Sequence, residues 1–271
     1  MTAAEETQPE QADGARAGDV LARLPVKGRA PKTGYDRARF GQAWLDADRN
    51  GCDTRNDMLG ERLTDLVLRP GTRDCVVESG TLADVYTATM IAFVYGDGTL
   101  VDIDHVVALA DAWVTGASVW DIKKRAAMAN DPLNLEPVDA SANRQKGASN
   151  AASWLPPNKS YRCTYVARQV AVKAKYDLWV TGAERAALAR VLTICPDQRV
   201  PEDSGAPTSV TQNITDPYDE PVIKTPAPPS GRSVYYENCD AVRAAGAAPV
   251  RRGQPGYASH LDREGDGLAC E

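Results

Sequence analysis

The chain has 271 residues, 43% hydrophobic and 25% charged, with a net charge of −6 and a pI near 5.1. That apolar content suits one or two packed domains, and the acidic balance taken alone argues against a general nucleic-acid binder. The most apolar run, Thr89 to Tyr95, is far too short for a membrane-spanning helix.

Residues 1–32 are rich in Ala, Glu, Gln and Gly, which predicts a flexible tail with a short turn of helix near Val20 to Leu24. Met1 to Gly18 is polar and acidic and shows no signal peptide, so it reads as the head of a processed chain with a start Met added. Tyr35, Phe40, Trp44 and Leu45 begin an apolar helical pattern. Asp53 or Thr54 caps a helix running to about Leu66, with Met58, Leu59, Leu63 and Leu66 as its stripe. Cys75 to Glu78 and Thr89 to Tyr95 read as strands, and Gly96-Asp97-Gly98 as a turn.

Leu100 to Ile103 alternates as a strand that ends in Asp104-His105. Helices are expected over Val106 to Trp113 and Trp120 to Met128, with Trp113 and Trp120 in the core. Asn130-Asp131-Pro132 breaks the second helix and introduces a strand at Leu133-Asn134-Leu135. Ala140 to Ala152 then places Asn143, Lys146 and Asn150 at helical spacing. Tyr161 to Trp179 and Ala183 to Leu192 are the last helices of this stretch.

This order has a chemical logic. Asp104 and Asn143 offer hard oxygen ligands suited to Mg²⁺ or Mn²⁺, cations that keep several waters and take phosphate oxygens. His105 carries the side chain best poised to remove a proton from water near neutral pH. Lys146, one turn past Asn143, is placed to hold a phosphate. Between Asp139 and Asp177 there is no acidic residue, while Arg144, Lys146, Lys159, Arg162, Arg168, Lys173 and Lys175 form a local basic field that a polyanion would meet. Arg55 and Arg125 are further candidates for nucleic-acid contact.

Asp104-His105, Asn134, Asn143 and Lys146-Gly147 together resemble the HNH (ββα-metal) nucleases. The flanks Asn50 to Asn56, His105 to Trp113 and Ala129 to Leu135 extend the resemblance, which is closest to small secreted actinobacterial members and covers roughly residues 35–196. Asn143 stands where the family name places a last His. The resemblance implies Asp104 and Asn143 on the metal, His105 as general base, Asn134 as the residue pinning the loop that presents His105, and products with a 5′-phosphate.

The six cysteines, 52, 75, 163, 195, 239 and 270, contain no Cys-x-x-Cys, which argues against a zinc ribbon or a thioredoxin motif. Fifteen pairings are possible. Cys52–Cys75, Cys163–Cys195 and Cys239–Cys270 are favoured because each closes a moderate loop within one block, in an oxidising compartment.

Residues 200–233 hold seven prolines and read as an extended linker. Residues 234–271 form a unit small enough to need a staple. Asp262, Glu264, Asp266 and Glu271 space carboxylates around Gly265 and Gly267. With Tyr235 to Cys239 and Gly253 to Tyr257, this stretch resembles the Excalibur extracellular calcium-binding domain, which implies Ca²⁺ held by Asp262, Glu264, Asp266, the Leu268 carbonyl and Glu271.

The expectation is an α+β chain: a tail (1–32), a ββα-metal nuclease core with added helices (33–199), a linker (200–233) and a disulfide- and calcium-stabilised module (234–271). The expected activity is hydrolysis of DNA phosphodiesters with little sequence preference by a secreted monomer, with cell-wall association through the module. A non-catalytic calcium-binding surface protein and an RNA-preferring or toxin-like nuclease are the other readings.

Overall fold

The structure, a computed structural model, describes residues 14–96, 98, 100–203, 205–218, 234–263 and 267–270. It divides into two units, Met1–Asp219 and Glu220–Glu271.

In the larger unit, α1 (Ala17–Arg23) buries Ala17, Val20 and Leu21, and Leu24 follows them into the main core. A helix this short has little stability alone. Backbone bonds from Ala17 N–H to Gln198 O (2.8 Å) and from Val200 N–H to Ala15 O (3.0 Å) dock it onto the far end of the unit. The described part of the expected tail, residues 14–32, is therefore built into the fold. Ala17, Val20, Leu21 and Leu24 face inward, while Val26 stays exposed. Residues 1–13 lie outside the described residues.

No long helix forms around Tyr35 to Leu45. Arg37–Phe40 is a single 3-10 turn, with the Asp36 side chain accepting from Ala38 N–H. Gly41 ends it at φ 84°, and a Cβ there would lie 3.0 Å from the Cβ of Ala126. That close approach fixes the segment leading to Trp44.

α2 (Thr54–Arg62) is capped by Asp53, which accepts from Asn56 N–H. It stops four residues before the expected end, because Leu63 turns extended and opens β1 (Leu63–Leu68). β1 pairs antiparallel with β2 (Val77–Ala83), and β2 with β3 (Met90–Val94). The Cys52–Cys75 disulfide holds the start of α2 against the turn before β2. Of the expected Gly96-Asp97-Gly98 turn, Asp97 lies outside the described residues.

β4 (Val101–His105) leads to α3 (Leu109–Val114) and α4 (Ile122–Ala129), then to a 3-10 turn at Pro132–Asn134 and β5 (Leu135–Asp139). β4 and β5 pair antiparallel, with Asp104 opposite Glu136 and His105 opposite Leu135. Val101, Ile103 and Leu135 enter a core shared with Met58, Leu59, Leu63, Leu82 and Phe93. Side chains alternate along a strand, so Asp102 and Asp104 take the opposite face. α5 (Ala140–Lys146) follows β5 directly, with Asp139 accepting from Ala142 N–H as its cap, and ends at Gly147 with φ 51°. It is half the expected length. Asn150 lies beyond it and donates to Asp111 at 2.9 Å.

α6 (Arg162–Lys175) and α7 (Gly182–Leu192) form the main core with α1, and Cys163–Cys195 links them. A reciprocal cap between Thr181 and Glu184 starts α7. Beyond Val200 the chain does not leave as a linker. Val210 is buried in the main core, and Asp216 accepts from Arg39 (3.0 Å) and Arg125 (2.5 Å). Residues 205–218 thus form a strap on this unit, held by Val210, Asp216 and the partly buried Ile214 in a composition that otherwise reads as linker. Residues 219–233 lie outside the described residues.

The smaller unit contains α8 (Cys239–Ala244) and a two-stranded ribbon of β6 (Val250–Arg251) and β7 (Leu268–Ala269). Val242, Val250, Leu261 and Ala269 are its core, closed by Cys239–Cys270. All three favoured cysteine pairs are disulfides.

Candidate active site

The β4–β5 hairpin and α5 converge on a cavity of about 340 Å³ lined by Asp104, His105, Asn143, Arg37, Tyr35 and Lys32, among others. Asp104 and His105 come from the end of β4, and Asn143 from the middle of α5.

Asp104 is 4% exposed and held from two sides. The Tyr86 hydroxyl donates to it at 2.6 Å and the Lys146 ammonium at 2.9 Å. Burial, and then the charge of Asp104, push the Tyr86 phenol well above its usual range, so it stays protonated and donates. Lys146 also donates to the His105 carbonyl at 2.7 Å. It is 1% exposed. A phosphate cannot reach an ammonium buried this way, so its expected role as a phosphate clamp gives way to that of a strut under Asp104 and His105. Its side chain points inward because Asp104 lies one strand away.

The His105 ring donates from Nε2 to the Ala129 carbonyl at 3.0 Å, since a carbonyl only accepts. That contact assigns the proton to Nε2 and leaves the lone pair on Nδ1. Burial above all, then the Arg37 charge, lower the imidazole from 6.5 to about 3, the Lys146 charge adding to this and the bond to Ala129 opposing it. The ring is therefore neutral at physiological pH. Trp44 lies nearly parallel to it, with 12° between planes and 6.4 Å between centroids.

Asn134 is fully buried. Its Oδ1 accepts from Val107 N–H (2.8 Å), and its Nδ2 donates to the Val107 and Met128 carbonyls (3.3 Å each). The amide ties the loop after His105 to the end of α4 and has no route to a substrate.

Asn143 donates from Nδ2 to Asp102 at 3.2 Å, which leaves its Oδ1 as the acceptor. An ionised carboxylate has about four lone-pair positions, so Asp104 keeps capacity beyond its two hydrogen bonds. Asp104 and Asn143 Oδ1 are hard oxygens that fit a small divalent cation completing its shell with water and phosphate. Among the described residues no three His, Cys, Asp or Glu converge to cage a metal.

The sequence pattern of the family "GmrSD restriction endonucleases, C-terminal domain" matches residues 53–191, which contain this whole hairpin-helix site. The chain belongs to that family. The pattern of the Excalibur calcium-binding domain matches residues 236–271. A protein of Arthroderma benhamiae described as an "uncharacterized secreted protein" is 36% identical over 192 residues, covering 70% of this chain and 89% of that protein. No solved structure matches.

Within the GmrSD-family domain the expected basic field is largely internal. Arg168 is buried and bonds to Glu136 and to the Pro132 (2.6 Å), Leu133 (2.7 Å) and Leu135 (2.6 Å) carbonyls. Glu136 is correspondingly buried rather than on a surface. Lys173 is buried between Asp111 (2.9 Å) and Glu184 (2.8 Å). Lys175 pairs with Asp131 (2.8 Å) and Asp203 (2.6 Å). Arg125 is 4% exposed on Asp216 and the Arg39 carbonyl, so it anchors the strap and is not available to nucleic acid. Arg144 and Lys159 are exposed; Arg162 and Arg55 are partly buried, against the Pro156 carbonyl (2.8 Å) and the Phe93 ring (5.6 Å).

Arg37, Trp44, Tyr86 and Asp102 belong to the site without having been singled out. Asp102 carried a readable signal, its alternation with Asp104. The other three come from distant segments with no local motif.

In the Excalibur unit, Asp262 is buried and accepts from Tyr257 Oη (2.5 Å) and Gly267 N–H (2.9 Å). Glu264, Asp266 and Glu271 lie outside the described residues. Among the described residues no helix is long and apolar enough to cross a membrane.

Proposed function

We propose that this protein is an exported, divalent-metal-dependent endonuclease of the HNH (ββα-metal) type, acting on DNA phosphodiesters with little sequence preference. The observation that carries the reading is the single cavity lined by Asp104, His105 and Asn143 at the junction of β4 and α5. Membership of a restriction-endonuclease domain family supports the reaction class. Export is supported by the three disulfides and by the secreted relative.

Asp104 and Asn143 Oδ1 are the groups that would hold Mg²⁺ or Mn²⁺. When bound, such a cation would stabilise charge developing on the phosphate and the leaving oxygen. His105 Nδ1 takes the proton from the attacking water while Nε2 stays on the Ala129 carbonyl, which holds the ring in one tautomer. A bound phosphodiester raises the ring's basicity by its negative charge, opposing what burial and Arg37 do in the free protein. Tyr86 and Lys146 hold the Asp104 carboxylate in a fixed orientation. Arg37, exposed at the mouth, meets the phosphate. Sparse exposed basic residues touching phosphates rather than bases would give sequence-tolerant, salt-sensitive binding. In the second unit, Asp262, Glu264, Asp266, the Leu268 carbonyl and Glu271 would hold Ca²⁺, as the Excalibur match supports.

The test is degradation of plasmid DNA by the purified chain with Mg²⁺ or Mn²⁺ and with EDTA. His105→Ala is expected to lower the rate by ~10²–10⁴. Full activity of that variant would overturn the role of the imidazole, and no cleavage by the wild type with any divalent metal would overturn the reading.

A further inference from the structure

His105 borders two cavities. The second, of about 290 Å³, lies against Trp44, Phe40, Ala43, Ala129 and Asn130. Arg37, His105 and Leu109 line both. Its volume is near the lower end of small-ligand pockets, ~300 Å³.

Most of its wall is apolar, and Trp44 contributes an aromatic plane. Asn130 contributes the polar feature. It is 3% exposed, and its Nδ2 donates to the Ala126 carbonyl at 2.9 Å, which sets the orientation of the amide. Its Oδ1 is buried with no hydrogen-bond partner among the described residues. A buried acceptor without a donor is rare and unfavourable. Nothing in the proposed hydrolysis uses Asn130 or Trp44.

We infer that this second cavity receives one unpaired nucleobase of the substrate strand, adjacent to the phosphate held at the first. The inference rests on the nuclease reading above. A nucleobase has what the cavity lacks: a flat π face for Trp44 and N–H donors on its pairing edge for Asn130 Oδ1. Arg37, shared by both cavities, follows the backbone between base and phosphate. A base inside a duplex cannot present its pairing edge to Asn130, so the substrate strand must be single-stranded or locally opened.

The full-length protein tests this in two ways. Without metal, in EDTA, single-stranded oligonucleotides carrying 2-aminopurine at successive positions are titrated and their fluorescence followed. With Mg²⁺ or Mn²⁺, cleavage of oligonucleotides with one abasic position is compared with the intact strand. The expected results are quenching of the probe at its bound position and a loss of about tenfold or more in kcat/KM when the base beside the scissile phosphate is missing. Trp44→Ala is expected to remove both effects and Trp44→Phe to restore most of them; Asn130→Leu, checked for its melting temperature, lowers kcat/KM for the intact strand only. Equal cleavage of every abasic strand with no quenching would overturn the base site and leave the nuclease intact. Quenching that depends on Trp44 without cleavage under any metal would overturn the nuclease and leave the base site. Neither signal would overturn both.

Discussion

The Lys146 ammonium lies 2.9 Å from an Asp104 carboxylate oxygen, and both side chains are buried. The same ammonium reaches the His105 carbonyl, so one cation positions two neighbouring residues of the site. Removing one partner of a buried pair leaves the other charge uncompensated, at about 3–5 kcal/mol. Lys146→Ala is therefore expected to lower the urea midpoint strongly in EDTA, where no substrate or metal contributes. An unchanged midpoint combined with a raised KM for oligonucleotides would make Lys146 a phosphate contact instead.

His105 gives the metal-free protein a defined acid sensitivity. Its folded value of about 3 lies below the ordinary 6.5, so the unfolded chain binds the proton more readily. The stability tied to this ring is complete above about pH 6.5 and is lost as pH falls towards 3, by up to ~1.4 kcal/mol per pH unit. Urea melts of the wild type and His105→Gln in EDTA, taken from pH 7 to 4, isolate the term. The gap between the two proteins should shift in favour of the variant as pH falls; a gap independent of pH would contradict the assignment.

Arg125 and Asp216 join α4 to the strap at 2.5 Å, with both side chains buried. Arg125→Ala is expected to cost on the order of 3 kcal/mol and to free residues 205–218 for proteolytic attack. The salt dependence of DNA binding should stay that of the wild type, because the guanidinium does not face solvent. Limited proteolysis and binding isotherms at several salt concentrations read the two outcomes separately.

The Excalibur unit is small and its core is closed by Cys239–Cys270. Calcium at about one hundred times its Kd should stabilise it by ~2.7 kcal/mol, seen by calorimetry as an upward shift of its transition. Asp262→Ala should abolish the shift, and reduction of the disulfide should remove roughly 2–5 kcal/mol. A calorimetric trace indifferent to calcium would rule out the proposed ligand set.

Part of the site is legible in the sequence. The alternation over Leu100 to Ile103 announced the strand that ends in Asp104 and His105. The second strand follows the Asn-Asp-Pro break but opens only at Leu135, since Pro132–Asn134 is a 3-10 turn, and Asn134 holds the loop after His105. The basic run from Arg144 to Lys175 was misleading, because a charge in sequence carries no label for inside or outside. Arg168, Lys173 and Lys146 each have an acidic partner 32 to 62 residues away. A turn of helix near Val20 was expected and forms, but its docking and the strap were missed for a related reason: a handful of inward side chains decides them, while the average composition is that of a tail.

By itself the sequence determined the period-two and helical patterns, the order of the acid, imidazole and amide groups, the sequential cysteine pairs and the division into a nuclease-family domain and a small calcium-binding domain, because these depend on neighbours within a few turns of chain or on loop lengths. Only the tertiary structure decided which cations are buried, that Tyr86 and Lys146 grip Asp104, and that Arg37 and Trp44 stand beside His105. Those outcomes follow from desolvation and close packing between distant segments, and such energies exist only once the chain has folded.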